Sequence, residues 1–468
     1  MQPGPRSRVD VIAALEDGRF DLLVIGAGAI GAATAWAAAR AGARVAVVDR
    51  GDLGAATSSA STKLLHGGLR YLAMGDVRLV REAHRERLRT ARVAPHLAEP
   101  LRFVVPLTSR SAKLRLGVGL YGALSGWSDG RSGTIGLEEA KALAPGLATE
   151  RLSGALVYRD HRTDDARLVL AALDAAADCG AVVANHVEVV AIGERVRLLD
   201  RVSGRELALD GGAIVNAAGP WVDAVRRLED PAAAPSVRLS KGAHLLLEAD
   251  EPWSAAVTSI LDDGRVAFAI PWQGLLMLGT TDTPYAGDPA EVACDADDEA
   301  QILAEAAIAL DLDPVRIRAR FAGLRVLPLG DGATSGARRE TVVTRGPRGV
   351  VSVAGGKLTT WLAIGDRVAQ MALPGVAPVP AGPVPSAVDP IAFAAELSTR
   401  FPAVPDAERV RLLRRYGRDA AAILAGGSEA EHAVAREWAV GPDDIARRAG
   451  LSAGARSSTS PGCARPST

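Results

Sequence analysis

A short apolar run, Leu22–Ile25, is followed by Gly26, Gly28 and Gly31 and then by an alanine-rich stretch reaching about Arg40. Consecutive apolar residues without polar alternation predict a strand buried on both faces. The alanine-rich stretch predicts a helix, ended by Gly42. Arg44 to Val48 predicts a second strand, closed by Asp49. Gly211–Asp223 predicts another buried strand and a small-residue turn, and Arg265–Tyr285 predicts two strands joined at Gln273-Gly274. These central segments predict a second, antiparallel sheet. Arg348–Leu373 returns to strand, glycine turn and helix.

Val376–Pro390 is proline-dense and predicts a semi-rigid linker. Beyond it, 407–427 and 431–450 predict amphipathic helices, and 452–468 is low in complexity and predicts disorder. The resulting expectation is an α/β chain, α+β overall. Residues 18–375 form a dinucleotide-binding domain interleaved with a substrate domain, the latter at roughly 77–150 and 235–330. A linker (376–390), a small α-helical C-terminal domain (391–452) and a tail (453–468) follow.

Composition narrows the classes. The 468 residues are 48% hydrophobic and 23% charged, which is the profile of a globular protein with a sizeable core. A net charge of -1 gives no general attraction to nucleic acid. Cys179, Cys294 and Cys463 are scattered, forming neither a metal pattern nor a disulfide framework, so no metal and a reducing compartment are expected. No apolar run reaches a membrane span, and the N-terminus lacks a signal-peptide layout. The expected location is therefore cytoplasmic, or on a membrane surface facing the cytoplasm.

The first strand–turn–helix has a specific physical meaning. Gly26 permits the tight turn, Gly28 lets the backbone approach a pyrophosphate, and Gly31 lets helix pack on strand. The helix N-terminus favours an anion. Asp49 stands where an acid can accept the ribose hydroxyls. With both strands, the helix and the acid present, the fingerprint is strong. It does not by itself separate NAD from FAD; its place near the N-terminus of a long chain leans toward FAD.

Thr57–Leu72 reads TSSASTKLLHGGLRYL. It resembles the flavin-side loop of FAD-dependent glycerol-3-phosphate dehydrogenases of the membrane-associated, quinone-reducing kind. Further segments match in the same order: Tyr158–Leu170, Asn216–Trp221, Ser240–Leu247, Ile270–Trp272, Leu278–Pro289, Ala322–Leu329, Glu340–Gly346 and Ser352–Thr360. The resemblance covers roughly 18–450. Two departures stand out: Val326-Leu327 where many members go from arginine straight to proline, and Trp361 where tyrosine is common.

The resemblance implies oxidation of sn-glycerol 3-phosphate to dihydroxyacetone phosphate, with electrons passing through FAD to a quinone. Its cofactor residues map onto Gly26, Gly28, Gly31, Asp49, Thr57, Ser58, Ser59, Ser61, Lys63, Leu64, His66, Gly67, Gly68, Ala218, Gly219, Trp221, Gly356, Lys357, Leu358 and Thr359. Arginine forks and a lysine suit a phosphate dianion, and Arg70, Arg325, Arg345 and Lys357 are the candidates. Which of them meets phosphate and which the C2 oxygen stays open. His244 is the candidate base, with a structural core histidine as the alternative. Tyr71 and Asp282 are expected to complete the catalytic group with Arg325.

Val77–Val93 is densely basic, and Ser111–Trp127 is apolar with aromatic residues. Together they match either a peripheral membrane contact or a solvated helix beside a buried segment; the resemblance favours the membrane. Competing activities are a glycerol-3-phosphate oxidase using O₂, a related amino- or hydroxy-acid oxidoreductase, and a flavin-binding protein without turnover. The C-terminal helices are a candidate surface for a partner or for a second copy, a homodimer.

Overall fold

The computed structural model describes residues 7–69, 72, 75–107, 112–126, 130, 132–261, 264–329 and 341–426. The first sheet has six strands in the order Val342–Arg345, Val351–Ala354, Ala213–Asn216, Leu22–Ile25, Val45–Val48, Val182–Ala184. All pairings are parallel except at the Val342–Arg345 edge. Leu22–Ile25 lies centrally and all four residues are buried, as an apolar run without alternation requires. On one face the fingerprint helix, Ala29–Arg40, packs between Asp165–Asp178 and Trp361–Ala372. Small residues allow the close approach: a Cβ on Gly365 would lie 2.5 Å from Ala33 Cβ. The other face is covered by the helix Arg8–Asp17, through Val11, Ile12 and Leu15, and by a three-stranded meander. That helix precedes the expected start of the domain at residue 18.

The second sheet has ten strands. Toward one end of it Val237–Leu247, the His244 strand, pairs along one edge with Ile317–Pro328, the Arg325 strand, and along the other with Thr283–Tyr285 and Leu275–Gly279. The Gln273-Gly274 turn has φ of 49° and 82°, the paired positive angles of a type I′ hairpin, joining Val266–Trp272 to Leu275–Gly279. Ala98–Leu107, Gly154–Thr163 and the short Leu64–Leu65 complete the far side. Gly154–Thr163 thus joins this sheet from outside the 77–150 and 235–330 segments.

The proline-dense segment is docked: Val384 is buried and its N–H donates to Val93 O at 2.9 Å. After it, Pro390–Arg400 and Asp406–Tyr416 pack around Leu397, Leu412, Leu413 and Tyr416. The first of these helices was not among the predicted ones; the expected helix at 431–450 and the tail lie outside the described residues. No helix among the described residues is long and apolar enough to cross a membrane, and these residues hold no metal-ligand cluster. The α/β class with a Rossmann-type sheet, a second sheet and a helical C-terminal region is as the sequence predicts, and the second sheet departs from the expected antiparallel pairing only where Ala255–Ile260 runs parallel to Ala98–Leu107.

Candidate active site

The glycine turn is built for a close ligand. Gly26 has φ +100°, and a Cβ on Gly31 would fall 1.8 Å from Gly26 O. Gly28 caps the fingerprint helix, and a Cβ there would lie 2.8 Å from Ser58 Oγ. Ser58 Oγ accepts from Ala29 N–H at 2.9 Å, and Asp49 Oδ2 accepts from Ala27 N–H at 2.7 Å. Polar acceptors therefore already converge on the helix N-terminus, where an anion is favoured. Asp49 also takes Gly51 N–H at 2.9 Å. Burial raises its carboxyl pKa, and these two N–H groups oppose the rise. A carboxylate has about four acceptor positions, so two bonds leave room for ribose hydroxyls. Ala218 follows Ala217, whose carbonyl a Cβ on Gly26 would meet at 2.6 Å. Gly219–Trp221 forms a 3-10 turn, and Trp221 carries the Arg50 guanidinium 5.0 Å from its ring centroid.

The Thr57–Gly68 loop is tied down at four places. Thr57 Oγ1 donates to Leu324 O at 2.7 Å. Ser59 Oγ donates to Ala56 O at 3.2 Å. Ser61 Oγ and Lys63 Nζ both bond the carboxylate of buried Asp165, each at 2.6 Å. His66 N–H donates to Thr359 Oγ1 at 3.1 Å, and the Thr359 hydroxyl donates back to His66 O at 3.2 Å. That last pair joins the loop to the second glycine turn, where Gly355 and Gly356 have φ of 78° and 95° and Lys357 and Leu358 open a 3-10 turn. Leu64 lies in the core beneath the loop. Gly68 has φ +80°. Gly67 has no room for a side chain, since a Cβ would meet His84 at 2.6 Å and Tyr121 Oη at 2.7 Å.

A buried polar group lies under Gly67. Asp160 accepts from Arg87 at 3.0 Å, from Tyr121 Oη–H at 2.6 Å and from Gly67 N–H at 3.3 Å. Burial and the Asp160 charge push the Tyr121 hydroxyl well above its usual pKa, so it remains a donor. The sequence reading missed this group, although Asp160 lies in the Tyr158–Leu170 motif; nothing in that motif shows that Arg87 is drawn inward.

The substrate-side residues share one face of the second sheet. Ser240, Gly242 and His244 alternate along one strand and stand opposite Arg325, Gly323 and Phe321 on its neighbour. The two glycines open space: a Cβ on Gly242 would lie 2.6 Å from the Arg325 guanidinium, and one on Gly323 would lie 2.6 Å from Ala60 O. Arg325 donates to Thr281 O at 2.9 Å, to Thr280 Oγ1 at 3.0 Å and to Asp282 Oδ1 at 3.3 Å. Asp282 in turn accepts from Ser240 Oγ–H. His244 is 2% exposed and stacks on Phe321 with ring centroids 4.7 Å apart. Its Nε2 bonds Thr62 Oγ1 at 3.0 Å.

His244, Arg325 and Asp282 are therefore brought together. Arg70 and Tyr71 lie outside the described residues. Two expectations are corrected, those for Arg345 and for the titration of His244. Arg345 is exposed and donates to Met371 O at the C-terminal end of the Trp361–Ala372 helix. The glycine turn before that helix lies at its opposite end, roughly 18 Å away for twelve residues, so Arg345 does not join the site. The Ser61 and Lys63 side chains bond Asp165 and hold the loop's shape, and their expected contact with the cofactor stays a proposal. His244 does not titrate near neutrality: burial, then Arg325 and Lys63, lower its pKa to about 3. Thr62 and Phe321 were missed as partners of His244; no local pattern marks contacts made across 182 and 77 residues of chain.

With this geometry in place, comparison with known proteins is direct. The model of the FAD dependent oxidoreductase family matches residues 21–371, and the chain belongs to that family. Within it the similarity is to glycerol-3-phosphate dehydrogenases. The chain is 37% identical over 402 residues to that of Mycobacterium leprae, covering 83% of this chain and 68% of the relative. It is 33% identical over 408 residues to the mitochondrial glycerol-3-phosphate dehydrogenase of Homo sapiens, covering 79% and 55%. The chain thus spans about two thirds of the first relative and just over half of the second. The glycerol-3-phosphate dehydrogenase from Bacillus halodurans, solved with FAD, superposes with a TM-score of 0.76 at 28% identity, over 95% of this chain and 89% of that one. The FAD expected from the fingerprint is the cofactor of the family, and the glycine cradle, Ser58 and Asp49 fit it.

Proposed function

We propose that the protein oxidises sn-glycerol 3-phosphate to dihydroxyacetone phosphate and passes the electrons to a membrane quinone. The observation that carries this reading is the pairing of His244 and Arg325 on one sheet face against the Thr57–Gly68 loop. The glycerol-3-phosphate dehydrogenases similar to this chain support the substrate.

FAD, when bound, supplies the hydride acceptor. Gly26, Gly28 and Gly31 would admit its pyrophosphate at the helix N-terminus, Asp49 would accept from the ribose, and the Thr57–Gly68 loop and the Gly355–Thr359 turn would hold the flavin. Arg325, fixed by carbonyls and by Asp282, presents a cation to the substrate. Lys357 and Arg70 are the further cations for the phosphate. His244, neutral at pH 7, receives the hydroxyl proton. Tyr71 completes the substrate side.

The membrane part of the reading rests on two helices. Arg78, Arg81, Arg85 and Arg92 lie exposed along one side of Val77–Val93, while Arg87 and Arg89 turn inward to Asp160 and Asp366. Leu116 and Leu120 are exposed on Ala112–Leu124. Basic and apolar groups side by side suit an anionic membrane surface facing the cytoplasm.

The deciding experiment is anaerobic. Adding sn-glycerol 3-phosphate to the yellow protein bleaches the flavin, and a soluble quinone analogue restores the colour. Yellow protein that does not bleach removes the substrate, and bleached protein that recovers only in air makes the enzyme an oxidase.

A further inference from the structure

We propose that Thr62 is a catalytic residue, whose hydroxyl meets the substrate's reacting hydroxyl and relays its proton to His244. The inference rests on the reading above that a secondary alcohol is oxidised, and it adds a residue that neither the sequence motifs nor that reading assigned a role.

The argument begins with how His244 is enclosed. The residue is 2% exposed. One ring face lies on Phe321, with an interplanar angle of 11°. The Cδ2 edge is against Gly279, where a Cβ would fall 2.6 Å away. Its strand is bonded to neighbours on both edges at this register, to Gly279 and to Phe321. Nδ1 is buried and has no hydrogen-bond partner among the described residues. Nε2 is engaged by Thr62 at 3.0 Å. A substrate hydroxyl would have to displace Thr62 to touch the imidazole directly.

Thr62, by contrast, is only half-buried. Its backbone is held on both sides: Ser61 bonds Asp165 through N–H and hydroxyl at 3.1 and 2.6 Å, and Lys63 bonds Asp165 at 2.6 Å. Thr163 N–H also donates to Lys63 O at 2.8 Å. A hydroxyl fixed in this way has one side on the base, and the proposal places the substrate hydroxyl on its other side. Hydroxyls can donate and accept at once, which a relay requires.

The step balances. The substrate O–H bond breaks and its proton moves to Thr62 Oγ1, while the Thr62 proton moves to His244 Nε2. The O–H electron pair becomes the second bond of the new carbonyl. The hydrogen on the same carbon leaves as hydride with the C–H electron pair, for which FAD, when bound, would supply the acceptor. Thr62 ends as it began, His244 ends as imidazolium, and two electrons have left the substrate. An anionic substrate beside Arg325 offsets the repulsion that Arg325 and Lys63 exert on that imidazolium.

The test compares flavin-loaded wild type, Thr62→Val and Thr62→Ser. Each is mixed anaerobically with sn-glycerol 3-phosphate, and the bleaching rate is followed. Ring-¹⁵N spectra of His-labelled protein report on His244 in the same samples. Thr62→Val is expected to lower the limiting bleaching rate by at least about a hundredfold, the usual scale for losing acid–base assistance. Half-saturation should change little, because a residue acting in the transition state affects rate rather than binding. Thr62→Ser should recover most of the rate, and the His244 resonances should move in Thr62→Val alone. Bleaching of Thr62→Val at the wild-type rate overturns the relay. An unmoved His244 resonance in Thr62→Val also overturns it, and that readout needs no substrate. If wild type itself does not bleach, the substrate reading fails, and the spectra still decide whether Thr62 engages His244.

Discussion

A histidine buried among cations is held neutral, and that has a consequence for stability. His244 and His96 both have folded pKa values of about 3, lowered first by burial and then by nearby arginines, with Lys63 also acting on His244. The unfolded value is about 6.5. Between these limits the unfolded chain binds the extra protons, so stability rises with pH through this window. The contribution is complete above about pH 6.5 and is lost as pH falls toward 3. Each histidine should therefore lower unfolding free energy by on the order of 2 kcal/mol between pH 6.5 and 5. Denaturant titrations at those two pH values should show a smaller acid loss in His96→Asn and in His244→Asn than in wild type; equal losses would mean that neither ring is held neutral. A second prediction at this scale concerns Gly31. A Cβ there meets a backbone carbonyl at 1.8 Å, which no rotamer can relieve. Gly31→Ala should lose about 1–3 kcal/mol and purify without yellow colour. A fully yellow variant would show that the turn can open.

Several elements depend on one carboxylate. Asp165 is fully buried at the start of the Asp165–Asp178 helix, yet it fixes Ser61 and Lys63 in the flavin loop. Removing one partner of a buried ion pair costs about 3–5 kcal/mol, because the other charge stays buried. Asp165→Ala should lose stability on that scale and retain FAD poorly. Lys63→Met combined with Asp165→Leu should lose less than the sum of the single changes. Strict additivity, measured by denaturant unfolding, would show that the two do not act together. This contact also marks the limit of what the sequence discloses. The fingerprint strand, helix and acid were legible because their chemistry is local: Leu22 to Asp49 encodes one turn and its two strands. The Gln273-Gly274 hairpin was legible for the same reason. Thr283–Tyr285 was missed because a three-residue strand carries too little pattern. Pro390–Arg400 was masked by the prolines before it. Arg345 was misplaced because a motif match gives sequence order and not the direction of a side chain. Asp165 and Thr62 act on residues more than a hundred positions away, and Asp160 on residues 39 to 93 positions away, and no periodicity records such distances.

At the scale of the whole molecule, the proposed membrane contact has to be reconciled with a chain of balanced charge. Net charge is -1, so attraction must come from distribution. Much of the apparent basicity of Val77–Val93 is internal: Arg87 is fully buried on Asp160, and Arg89 bridges Glu86 and Asp366. What remains outside is the row Arg78, Arg81, Arg85 and Arg92, at spacings of three, four and seven that keep it on one helix side. On Ala112–Leu124, a helix that touches Val77–Val93, Leu116 is 75% exposed and Leu120 44% exposed. Each basic side chain near an anionic surface is worth about 1 kcal/mol. Arg78→Gln, Arg81→Gln and Arg85→Gln together should then weaken binding to phosphatidylserine-containing vesicles by about a hundredfold at low salt, while the flavin stays bound, bleaches normally with substrate and recovers with a soluble acceptor. Leu116→Ser with Leu120→Ser should weaken binding to neutral and anionic vesicles alike, because it removes apolar burial and leaves charge unchanged. Co-sedimentation measures both. If the arginine variant binds anionic vesicles as wild type does, the row is a solvated face and the proposed membrane contact does not run through it. If the leucine variant alone loses binding, insertion outweighs charge, and raising salt should leave wild-type attachment nearly intact.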